Sequence, residues 1–143
     1  MFSYQKLGKF TFHILKNKEE INPFLYDWLR KEWETDHSED PDQPWTLEWL
    51  DLLKLMKFEL KIINRDSVNL RKELMDYKTE TYNFQNELND RVADMEESIL
   101  RGSSIEPLTV NGENMELMNG YTRYRILKKY DQERIYAYVG TLK

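Results

Sequence analysis

Residues Met118 to Tyr130 read MNGYTRYRILKKY, an apolar strand end that stops at Asn119-Gly120 and gives way within two residues to a basic helix. Glycine permits the positive φ that so sharp a reversal needs, and Thr122 is the residue type that caps a helix start. The first amides of such a helix have no intrahelical partners and lie at the positive end of its dipole, so the turn suits a phosphate or carboxylate. Arg123 adds a guanidinium fork matched to phosphate oxygens, and Arg125, Lys128 and Lys129 raise the local positive potential. The same strand, turn and helix also occur as plain supersecondary structure, with the arginine as a solvated surface residue.

Working outward, the pattern around this stretch alternates quickly. Upstream lie a loop (Ser103 to Pro107), a strand (Leu108 to Val110), an Asn111-Gly112 turn and a strand (Met115 to Met118). Downstream, the helix Thr122 to Tyr130 leads to a last strand, Arg134 to Val139. Before the loop, Leu88, Val92, Met95 and Ile99 recur at helical spacing within a helix from about Tyr82 to Arg101, ended by Gly102. Earlier still, Phe58, Leu60 and Ile62 alternate with Glu59 and Lys61 as in a strand. Asp66 to Thr81 reads as an irregular crossing carrying Val68, Leu70, Leu74 and Met75.

The first part of the chain reads as helical. Asn22-Pro23 has the form of an N-cap and first turn, opening a helix to about Glu34 with Phe24, Trp28 and Leu29 inward. Thr35 to Pro44 is a polar connector. Trp45 to Lys57 places Leu50, Leu53 and Met56 on one helical stripe. Trp28, Trp33, Trp45 and Trp49 fit either packing between these helices or a surface for a ligand or protein partner.

The 143 residues, 40% of them hydrophobic, suffice for one domain with a buried core. No apolar run reaches the roughly 18 residues of a membrane helix, so the expected location is cytoplasmic. The absence of cysteine excludes disulfides, thiolate metal sites and a cysteine nucleophile. His13 and His37 form no ligand motif. Net charge is −5, against a chain built to coat nucleic acid. Residues 1–97 hold 14 Lys and Arg against 21 Asp and Glu, whereas residues 98–143 hold 7 against 5, so an anionic ligand is drawn to the last third.

Four blocks in order, Glu97-Ser98-Ile99 with Gly102, Ile105-Glu106-Pro107-Leu108-Thr109-Val110, Met118 to Arg125, and Arg134 to Val139, resemble the ParB/sulfiredoxin superfamily over about residues 91–140. The resemblance extends less specifically to the strand at Phe58. It implies an α+β fold, a small mixed sheet with helices over residues 58–143, and the helical, aromatic-rich residues 1–57 then read as an extension that precedes it. It also implies nucleotide phosphates bound by Asn119, Gly120, Tyr121, Thr122 and Arg123, with Glu106 and Pro107 as the opposite wall. ATP, ADP or CTP with Mg²⁺ are the nucleotides to expect. Three departures bear on activity. Tyr121 stands where sulfiredoxins carry the catalytic cysteine, which excludes their reaction. Helix-turn-helix and dimerisation segments of partition proteins have no counterpart before Lys143. Asn119, Tyr121 and Thr122 replace the acid and histidines of the superfamily's small-molecule kinases, which leaves no assigned catalytic residue.

Three readings follow from the sequence. The first is a nucleotide-binding domain, extending to a small phosphotransferase, where Glu106, Glu96 and Glu97 are the carboxylates available to Mg²⁺ and otherwise ordinary surface acids; no metal site is assigned. The second is a non-catalytic module whose N-terminal half docks a protein. The third is a DNA-associated protein, which the net charge opposes.

Overall fold

The computed structural model describes residues 1–35, 50–70 and 82–142. The chain opens with an antiparallel hairpin, β1 (Ser3–Leu7) and β2 (Phe10–Ile14), followed by helix α1 (Lys18–Thr35). Residues 50–55 are helical and run into β3 (Met56–Asn64) and a short 3₁₀ turn, Arg65–Ser67. After helix α2 (Tyr82–Leu100) come β4 (Leu108–Asn111), β5 (Glu116–Asn119), helix α3 (Tyr121–Lys129) and β6 (Arg134–Leu142). Strands β3 to β6 form one mixed sheet in the order β3-β6-β4-β5, with β4 and β6 parallel and the other pairs antiparallel. The chain is α+β, as its sequence implied.

Strand alternation sends successive side chains to opposite faces of this sheet. On one face Leu108, Val110, Ile135, Ala137 and Val139 meet Ile126 and Leu127 of α3 and Phe10, Phe12 and Ile14 of the hairpin. On the other, Met56, Phe58, Met118 and Tyr138 meet Ile21 and Leu25 of α1, together with Leu50 and Leu53. The stripe expected on α2 holds at Val92, Met95 and Ile99, which lean on the first core. Gly102, at φ 100°, closes that helix, with Gly102 N–H donating to Ile99 O and Ser103 N–H to Ser98 O.

The helical reading of residues 1–57 is corrected at its start, since residues 3–7 and 10–14 are strands. The alternation Phe10-Thr11-Phe12-His13-Ile14 is a half-buried strand pattern, and Gly8, at φ 62°, makes the turn. Gln132 fills the space where a Gly8 Cβ would stand; its side chain donates to Leu7 O and accepts from Lys9 N–H. Nor does Asn22 cap α1. The helix starts one turn earlier, where the Asn17 side chain accepts from Glu19 N–H at 2.9 Å, and Pro23 lies inside it. Asn22 instead reaches the outer edge of β3, donating to Leu53 O and Met56 O and accepting from Phe58 N–H at 2.9 Å. Its carboxamide thus stands in for a neighbouring strand over these residues and blunts an open sheet edge.

Some expectations fall outside the described residues: the Thr35 to Pro44 connector beyond its first residue, Trp45, Trp49, Leu74 and Met75, and the side chains of Leu29, Trp33 and Leu88. Among the described residues no helix is long and apolar enough to cross a membrane.

Replacing Asn22 with Ala leaves Met56 O and Phe58 N–H without this partner, and should lower stability by about 1–3 kcal/mol in urea unfolding. A loss under about 0.5 kcal/mol would mean that water replaces the carboxamide at no cost.

Candidate functional site

Helix α3 opens directly at Gly120, whose φ of 109° is left-handed, and no side chain caps the helix. Thr122, expected as the cap, lies inside the first turn. The reason is geometric: Gly120 already makes the reversal, so the helix begins before Thr122 is reached. Asn119, at the end of β5, pairs in register with Thr109 of β4.

Arg123 takes an inward course. It is 6% exposed, and its Nη1 donates to Glu106 O at 3.1 Å and to Pro107 O at 2.6 Å. Trp28 of α1 lies against the guanidinium, 5.0 Å from ring centroid to Cζ, a cation–π distance. A Cβ on Gly120 would stand 2.8 Å from Arg123 Nη2 and 2.7 Å from Leu108 Cδ2. The Gly-Tyr-Thr-Arg spacing is therefore a packing unit as well as a turn. The missing Cβ lets the arginine cross beneath the helix start and hold the Glu106-Pro107 loop against it. Of the other residues expected at the site, Gly120 and Pro107 are buried, Asn119, Tyr121 and Thr122 are half-buried, and Glu106 turns its carboxylate to His13; the Arg123 fork expected to face a ligand points to backbone carbonyls instead.

The surrounding electrostatics are mixed. Lys129 pairs with Glu96 at 2.7 Å, which offsets part of the positive charge expected along α3. Half-buried Tyr121 has its phenol pushed above the usual range by loss of solvent, with Arg125 opposing. Glu106 contacts His13, Oε2 to Nε2, at 2.6 Å, while its Oε1 is buried with no hydrogen-bond partner. Burial pushes its carboxyl above the ordinary 4.5, opposed by the nearby His13 and Arg123 charges. Burial also drives the Tyr138 phenol far upward; its oxygen accepts from Leu15 N–H at 3.0 Å. Among the described residues no group of three or more His, Asp or Glu could hold a metal ion.

Sequence reasoning missed His13, Trp28 and Ser104 as neighbours of this turn. The inward course of Arg123 had a signal, because Arg123, Ile126, Leu127 and Tyr130 share helical spacing and so the apolar face of α3.

No protein-family model and no curated protein matches the chain. The ParB likeness read in the sequence is met among solved structures. The chain is similar to two structures of a pNOB8-like ParB N-domain, at 22% identity in each case. One is the C2221 form, with a TM-score of 0.43 over 59% of this chain and 30% of that one. The other has a TM-score of 0.45 over 62% of this chain and 29% of that one. The match thus spans less than a third of either structure's chain.

Truncating Arg123 to Ala should cost about 2–4 kcal/mol of stability, because two carbonyls lose their donor and Trp28 its cation. Glu106 carries a pH signature. Its native pKa lies above the unfolded one, so its stabilising contribution is complete below about 4.5 and is lost as pH rises through the native value. Urea unfolding from about pH 4 to about pH 7 should show this fall in the wild type and a flatter dependence in Glu106→Gln. Parallel curves would remove the assigned cause.

Proposed function

We propose that the chain is a ParB-like domain that binds a nucleotide through its phosphates at the opening of α3. Asn119, Gly120, Tyr121 and Thr122 form the phosphate side and Glu106-Pro107 the facing wall. The observation that carries this reading is a nine-residue helix beginning at a left-handed glycine with no side-chain cap. Such an end leaves first-turn amides and the positive dipole end to an outside acceptor. The four-block resemblance and the positive balance of residues 98–143 point the same way.

Arg123 acts here by holding the wall rather than by gripping phosphate. ATP, ADP or CTP supplies the anion, and Mg²⁺ arrives with the nucleotide, its charge screened by phosphate oxygens and water. Localisation in the cytoplasm, where such nucleotides are abundant, belongs to the same proposal.

A second reading is favoured by one observation, the engagement of Arg123 with backbone and Trp28. In it the fold is a non-catalytic module whose N-terminal half docks a protein partner.

Thermal unfolding with ATP, ADP and CTP plus Mg²⁺ separates the two. Nucleotide at 100 times its Kd should stabilise by about 2.7 kcal/mol. Because Arg123→Ala also damages the fold, the informative variant is Thr122→Asp. A carboxylate in the first turn favours the helix by about 0.3–1 kcal/mol yet repels phosphate. The variant should therefore unfold no earlier than wild type and lose the nucleotide shift. No shift with any nucleotide in the wild type leaves the docking reading, and duplex DNA binding unaffected by Thr122→Asp would place the partner elsewhere. Nucleotide turnover would extend binding to phosphoryl transfer.

A further inference from the structure

Phe12 of β2 and Ile105 meet in an isolated parallel bridge, with Ile105 N–H donating to Thr11 O at 2.9 Å and His13 N–H to Ile105 O at 3.0 Å. Side chains alternate along extended chain. Phe12 and Ile105 therefore enter the first core, and His13, Ser104 and Glu106 are brought together on the other side of the bridge.

The result is a linear hydrogen-bonded set. His13 Nδ1 lies 2.9 Å from Ser104 Oγ, and His13 Nε2 lies 2.6 Å from Glu106 Oε2. With the ring proton on Nε2, the imidazole donates to the carboxylate and its Nδ1 lone pair accepts the serine O–H. Hydroxyl, base and orienting carboxylate in this order are the parts of an activated nucleophile. The serine is partly exposed, and the backbone on both sides of it is tied down, by Ser103 N–H to Ser98 O and by the Ile105 bridge. The carboxylate is largely shielded from water, and one of its oxygens has no hydrogen-bond partner, so its other oxygen is left to hold the imidazole ring.

We propose that Ser104 is a nucleophile for an electrophilic carboxylic ester, with His13 as its base and Glu106 as the positioning residue. Ser104 Oγ bonds to the ester carbonyl carbon as its proton passes to His13 Nδ1, and the carbonyl π pair moves onto oxygen. Collapse re-forms the carbonyl and breaks the bond to the alkoxide, which leaves as alcohol with the proton from His13. The acyl group remains on Ser104, and water, deprotonated in turn by His13, releases it as the acid. Glu106 holds the imidazole ring and its charge throughout.

The test uses the full chain without nucleotide, so its outcome is independent of phosphate binding. An alkyl fluorophosphonate is attacked in the same way, with P–O formed, P–F broken and fluoride released. Peptide mass spectrometry should find the adduct on Ser104, absent in Ser104→Ala and slower by about 100-fold or more in His13→Gln. Labelling of Ser104 no faster than of its neighbour Ser103 overturns the proposal. Because the chain has no cysteine, Ser104→Cys introduces a single thiol that reads the network even if His13→Gln fails to fold. Its alkylation by iodoacetamide should persist well below the free-thiol value of about 8.5, and Glu106→Gln should move the profile back toward that value. A profile already centred at about 8.5 overturns the proposal, since a merely structural hydrogen-bond chain would not pair a thiolate with an imidazolium.

Discussion

A buried guanidinium bound to two consecutive carbonyls holds the start of α3 and the loop before β4 together. Arg123 reaches from the first turn of α3 to Glu106 O and Pro107 O, and so fixes the loop that feeds β4 against the helix that leaves β5. A charged group out of water is tolerated only where its donors are met. Here the carbonyls, the Trp28 face and the absent Cβ of Gly120 meet that condition together. If any of the three changes, the turn, the loop and the cover from α1 lose their common reference.

A second buried arginine, Arg65, lies at the other end of α3, its Nη2 donating to Asp66 Oδ1 and its Nε without a hydrogen-bond partner. Its Nη1 donates to Leu127 O and Gln132 O, near the carbonyls that a helix leaves unpaired at its C-terminus. The helix therefore lies between two buried arginines, one crossing beneath its start and one near its end. Favourable cation placement at the C-terminus follows from the helix dipole. The cation at the N-terminus runs against that dipole, which explains why it points away from the first-turn amides and into the Pro107 loop.

The sequence was most legible where local chemistry and tertiary packing agree. From Leu108 to β6 each strand, turn and helix lies close to where its residues suggest, since Asn-Gly turns and alternating apolar residues leave little choice. It was least legible where a residue type has two good uses. Asn22 before proline is a good cap, but its carboxamide satisfies the edge of β3, a contact more than 30 residues away that no local pattern reveals. An arginine in a basic helix looks solvated until its spacing to Ile126 and Leu127 is weighed. His13 has no ligand spacing in the chain, because its partners Ser104 and Glu106 are set by a bridge across more than 90 residues.

The Gln132 side chain that fills the space above Gly8 links the first turn of the chain to the approach of its last strand. A two-stranded hairpin has marginal stability by itself in water. During synthesis, then, this hairpin must wait unsupported until the segment that carries Gln132, more than 100 residues further on, has emerged. So distant a closure slows folding and keeps the apolar side of Phe10, Phe12 and Ile14 uncovered in the nascent chain, where a chaperone would find its natural foothold.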